Sequence, residues 1–193
     1  MSERRVPALL LVALACALAA CSPEPGTPAG AAVPATDAAL PEGWQRVAGT
    51  DIPRVARSQQ DLPVTVRSDD GVDVMVTDTA RTIVGNDDIV MVMESLGLAD
   101  QVFAAPTNSV TDTGRKAQHH FLFNRTTGVE GILSLDGTLF VGNSLRRHGK
   151  LAQPLRDAGQ TLVIVDELQP IPDKVRKLAT VFGHADEGEQ LAM

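Results

Sequence analysis

Apolar positions along the chain follow two periods. In Val64-Thr65-Val66 and Val72-Asp73-Val74-Met75-Val76 they alternate with polar ones, and Ser68-Asp69-Asp70-Gly71 lies between. Alternation on both sides of a turn-forming tetrad predicts a β-hairpin. Further on, Ile89, Val92, Met93 and Leu96 recur at helical spacing behind Asn86, a capping residue, and before Gly97, a helix terminator. Asp87 and Asp88 then fall where carboxylates complement a helix N-terminus. Residues 101–104 read as a short buried strand. Val129, Ile132, Leu133 and Leu135 mark a short helix, and residues 138–141 form an apolar strand ending at Gly142-Asn143-Ser144.

The same rhythm continues. Residues 151–158 predict a helix closed by Gly159, with Pro154 in its first turns or kinking it. Residues 161–165 form a third buried strand, ending in Asp166-Glu167. Pro172 opens a helix through Val175, Leu178 and Val181. Strands alternating with helices at this spacing predict an α/β fold: a Rossmann-like lobe, its mostly parallel sheet flanked by helices, plus the N-terminal hairpin. Sites in such sheets form beyond the carboxyl ends of the strands, where Gly142-Asn143-Ser144 and Asp166-Glu167 fall.

The N-terminus follows neither period. Arg4-Arg5, an apolar run from Val6 to Ala20 and then Cys21 make a secretory signal, too short and Ala-rich for a spanning helix. Leu18-Ala19-Ala20-Cys21 looks like a bacterial lipobox, with cleavage before a diacylglyceryl-bearing Cys21. A plain secretory signal with an incidental cysteine is the alternative. Residues 1–20 are thus read as a lipoprotein signal peptide. Residues 21–60 are the lipidated cysteine and a tether whose Pro23, Pro25, Pro28 and Pro34 resist regular structure; Trp44 lies in its lead-in to the domain. The lipid would hold the protein on the outer face of the cytoplasmic membrane.

Composition narrows the function. The chain has 193 residues, net charge −7, no Tyr and two Cys, which excludes a disulfide framework and a four-sulfur zinc site. An acidic, aromatic-poor chain does not suit nucleic acid. Positive charge concentrates instead in residues 115–150, where Arg115, Lys116, Arg125, Arg146, Arg147 and Lys150 face only Glu130 and Asp136. His119, His120 and His148 lie there too. With these residues in loops, they would build a positive rim that attracts anions. No G-x-G-x-x-G or G-x-S-x-G is present, and the stretch from Gly142 to Lys150 lacks the spacing and hydroxyl of a phosphate loop. The chain is read as a non-enzyme. The competing reading is a small metal-dependent α/β enzyme using Asp78, Asp87 and Asp88.

Several stretches carry a resemblance. Val76-Thr77-Asp78-Thr79-Ala80-Arg81-Thr82-Ile83-Val84 resembles the first strand and turn of binding proteins for haem, iron-siderophores and cobalamin. Glu94-Ser95-Leu96-Gly97-Leu98-Ala99-Asp100-Gln101-Val102 continues the likeness, as do the stretch from Glu130 to Val141 and Leu155-Arg156-Asp157-Ala158-Gly159. Together they resemble the N-terminal lobe of an ABC-importer solute-binding lipoprotein. That implies two Rossmann-like lobes joined by a long helix, with the ligand gripped between them and passed to a permease and its ATPase. Here residues 61–183 would be the N-terminal lobe, residues 184–193 the truncated start of the inter-lobe helix, and the second lobe absent.

The resemblance implies no intrinsic cofactor; haem or a ferric complex would be cargo. For such cargo the candidate ligand contacts are His119 or His120 to iron and Arg125 to a propionate, with Asn143, Arg146 and Arg147 supplied by the rim that charge and strand-end position mark. A non-functional remnant of such a protein is the remaining reading.

Overall fold

The computed structural model describes residues 53–122 and 128–193. The signal, Cys21, Trp44 and most of the tether lie outside the described residues, as do Phe123, Asn124 and Arg125. The hairpin forms as its alternation predicts. Strand β1 (Val64–Arg67) pairs antiparallel with β2 (Asp73–Val76), and Gly71 takes the positive φ of 88° that the turn demands.

Five further strands form one parallel sheet: β3 (Thr82–Val84), β4 (Val102–Pro106), β5 (His119–Phe121), β6 (Leu139–Gly142) and β7 (Leu162–Ile164). Their order is β5-β4-β3-β6-β7, so β3 is central although only three residues long. Helices cover both faces: α1 (Asp87–Ser95), α2 (Asp112–Arg115), α3 (Val129–Leu133), α4 (Leu145–Asp157), α5 (Ile171–Val181) and α6 (Ala185–Leu191). Asn86 caps α1 by accepting the Ile89 N–H, and Gly97 follows it with a φ of 73°.

Successive side chains along each strand point to opposite faces, and both faces are covered, which makes two cores. Val84, Leu139, Val141, Val163 and Val165 pack with α1, α5 and the hairpin valines Val66, Val74 and Val76. On the other face Ile83, Phe121, Phe140, Leu162 and Ile164 pack with Ile132 of α3 and Ala152 and Leu155 of α4. Parallel strands covered on both faces need unbroken apolar runs, and the sequence supplies them.

Two expectations need correction. A 3-10 turn, Ala99–Gln101, precedes β4, so that strand begins at Val102 and runs on to Pro106. More consequentially, α4 begins at Leu145, not at 151, and Pro154 sits well inside it on an exposed position. Arg146 and Arg147 therefore belong to the first turn of a helix and not to a loop. The apolar pattern could not show this turn, because Leu145, Arg146 and Arg147 face solvent and the Leu145 N–H is held by Asp166, distant in sequence.

Candidate functional site at the sheet's carboxyl edge

The chain runs outward from β3 through β4 to β5, then returns to lay β6 on the other side of β3. The strand order thus reverses between β3 and β6. In open parallel sheets that reversal leaves a crevice beyond the carboxyl ends, where ligands bind. Asn86 stands at its β3 side; Asn143 and Ser144 stand at its β6 side. Asn143 is almost fully buried, and its Oδ1 has no hydrogen-bond partner among the described residues.

The turn from β6 into α4 is closely held. Asp166, buried at the end of β7, accepts the Leu145 N–H at 2.7 Å through Oδ2. Nδ1 of His148 accepts the N–H groups of Asn143 at 3.1 Å and Ser144 at 3.3 Å. A phosphate at this helix start would meet the Asp166 carboxylate, so the helix dipole there is already answered from within.

Around this edge the surface is unusually apolar. Val110 follows β4, Leu122 follows β5, Leu145 opens α4, and Leu168 and Ile171 follow β7; all are exposed, Leu168 to 89%. Scattered apolar residues need no explanation, but these come from four separate strand ends on one edge of the sheet. Arg146 is exposed beside Leu145 and makes no ion pair among the described residues. Arg147 is held by Glu167 at 3.0 Å.

The other predicted residues lie elsewhere. His119 and His120 sit on the edge strand β5, where alternation sends their rings to opposite faces. The His119 ring packs on Phe103 at 4.8 Å, and Nε2 of His120 meets the Gly114 carbonyl at 3.1 Å. His119 is level with Ala104, Ile83 and Phe140 across the sheet, three residues short of Asn143. Three strand spacings also separate β5 from β6, about 14 Å. The imidazoles and the Arg146–Arg147 pair therefore do not share the single basic rim expected of them, because β3 and β4 stand between.

The acidic residues of the enzyme reading do not converge either. Asp78 binds the Ala80 N–H before β3, and Asp88 pairs with Lys174 at 2.7 Å. Asp87 accepts from Ser109, from the Val110 N–H and from Thr111, tying the loop after β4 to α1. Burial pushes the Asp87 carboxyl up, but these hydrogen bonds outweigh it and hold it below the usual carboxylate range. Among the described residues no group of three His, Cys, Asp or Glu could hold a metal ion.

The chain matches no protein-family model and no curated sequence. Solved structures do match. The haem-binding protein HmuT aligns at 25% identity and a TM-score of 0.57, over 74% of this chain and 49% of that one. The chain shares the lobe fold of the periplasmic solute-binding proteins. Holo-ViuP aligns at 16% identity and a TM-score of 0.50, over 67% of this chain and 47% of its own, which speaks to the fold alone. The periplasmic haem-binding protein RhuT from Roseiflexus sp. RS-1 aligns at 27% identity and a TM-score of 0.49, over 60% of this chain and 45% of its own. The chain spans about half the length of these solved proteins. In this lobe fold, the switch-point edge is the candidate place for a ligand.

What sequence reasoning missed is the part that His148 and Asp166 play in holding the turn into α4. His148 was grouped with the basic residues, yet it is buried to 1% exposure. Its one local signal was its place four residues after Ser144, the spacing that brings a side chain back over a helix start.

Proposed function

We propose that this chain is the substrate-binding lobe of an ABC importer for haem or another anionic iron complex. In this reading Cys21 carries the lipid anchor on the outer face of the cytoplasmic membrane, and the cargo passes to a permease and its ATPase. The observation that carries the reading is the likeness to the haem-binding HmuT over three quarters of the chain.

The chemistry of the edge supports it. Haem is a flat apolar macrocycle with carboxylates at one side. An apolar rim bearing Leu145, Leu168 and Ile171 suits the ring, and Arg146 beside it, without an ion pair among the described residues, suits a carboxylate, which guanidinium can grip with two N–H groups. His119 and His120 lie behind this rim, so in this reading they are not the groups on which affinity depends.

Titrating the purified chain with haemin tests the proposal. A shifted Soret band is expected, together with quenching of Trp44, the single tryptophan. Arg146→Glu should weaken the shift, whereas His119→Ala and His120→Ala should leave it near the parent's. No Soret shift, with no quenching by a ferric siderophore or cobalamin, overturns the reading.

A further inference from the structure

Glycines at a switch point ordinarily let a ligand approach the backbone. Here they make room for a side chain. A Cβ on Gly142 would lie 2.9 Å from Nδ1 of His148, and one on Gly85 would lie 3.2 Å from Cε1. The imidazole is wedged between the ends of β3 and β6, with its edge on the Phe140 ring at 5.5 Å. Burial first, and the neighbouring Arg147 charge second, push its pKa down to about 4. At neutral pH the ring is therefore uncharged and Nδ1 is an acceptor, as its two backbone donors require.

The consequence is a turn with few ways to move. The N–H groups of Asn143, Ser144 and Leu145 each have a fixed acceptor, and the Asn143 carbonyl accepts the Glu167 N–H at 2.8 Å. Arg147 is tethered to Glu167, which leaves Arg146 as the cation this turn presents outward. We propose that His148 is a positioning residue for the ligand: by accepting the Asn143 and Ser144 N–H groups it sets the β6–α4 turn and so fixes where Arg146 meets the cargo's anionic group. The inference rests on the functional reading above.

The experiment is a set of haemin titrations on the full chain, read by the Soret band, with urea unfolding of each variant alongside. His148→Phe fills the wedge but removes the acceptor; it should weaken haemin about tenfold, the scale of one charge-assisted hydrogen bond. His148→Asn, whose Oδ1 can take the place of Nδ1, should stay within about twofold of the parent. Gly142→Ala displaces the ring without altering it and should behave like His148→Phe, which keeps the test alive if the Phe variant does not fold. In an Arg146→Ala background, His148→Phe should cost nothing further, since the histidine acts through that arginine.

Equal losses with and without Arg146 overturn the inference, and so does a folded His148→Phe or Gly142→Ala chain that binds like the parent. A merely structural role would lower the urea midpoint and leave the Arg146 coupling at zero. If the parent chain shifts no Soret band and neither a ferric siderophore nor cobalamin quenches Trp44, the functional reading falls as well; uncoupled losses in a binding parent sink this inference alone.

Discussion

Arg156 makes a sharp test of how the hairpin is joined to the sheet. From α4 its guanidinium reaches Asp70 through Nη1, at 2.5 Å, and Nη2, at 3.1 Å; Nη2 also meets Ser68 Oγ at 3.2 Å. Nε and Nη2 both donate to the Leu162 carbonyl, at 3.2 and 3.0 Å. Ser68 Oγ in turn accepts the Ile164 N–H at 2.9 Å. One side chain thus links α4, β7 and the hairpin turn, and the ion pair is only 12% and 16% exposed.

Arg156→Met keeps most of the stem but strands the Asp70 carboxylate and the Leu162 carbonyl. Breaking a buried pair from one side costs about 3 kcal/mol, and the residual exposure here places this pair at the low end. On a domain of this size that lowers Tm by about 10 °C. Urea unfolding of parent, Arg156→Met and Arg156→Met/Asp70→Asn chains is the assay. The double variant should be more stable than the single by about 1 kcal/mol, because it no longer buries an unpaired charge.

The pH dependence follows from Asp70. Burial raises its pKa, but hydrogen bonds from Arg156 and Ser68 and the Arg156 charge overcome this and hold it below the ordinary 3.8. A carboxylate depressed on folding stabilises above its unfolded value, and that contribution is lost as pH falls through the lower folded value. The parent's advantage over Arg156→Met should therefore be full near neutrality and shrink below the usual carboxylate value. A loss under about 0.5 kcal/mol, or one unchanged by the Asp70 replacement, would refute the reasoning.

Two further expectations concern stability alone. Leu155→Ala empties a fully buried site among Phe140, Ala152 and Leu162, and should cost about 3 kcal/mol in urea unfolding; a loss below 1 kcal/mol would mean that α4 collapses onto the gap. Gly183 has a φ of 70°, and a Cβ there would lie 2.9 Å from the Asp61 backbone, whose N–H binds the Gly183 carbonyl at 2.8 Å. Gly183→Ala should therefore speed hydrogen exchange at the Asp61 amide well before the sheet opens, and unchanged protection there would count against it.

The sequence by itself determined the layers. Period-two and period-3.6 runs state which face of each segment must be buried, and that information is local. The hairpin, α1 with its Asn86 cap and Gly97 terminator, the buried strands β6 and β7 and the helix opening at Pro172 were all legible for that reason. The resemblance in residues 76–84 likewise fell on the central strand.

Strand order was not legible, since nothing in a strand's own residues says which neighbour it will take. That order decided the site. It put Asn143, Arg146 and the exposed apolar residues of several strand ends on one edge, and left His119 and His120 three spacings away although they are nearer Arg125 in the chain. It also set the start of α4, because the acceptors that hold the first N–H groups come from Asp166, just past another strand, and from a ring that fits only beside two glycines, one after β3 and one ending β6. Burial of one face can be written into a segment; which distant groups complete a turn is settled only when the sheet has formed.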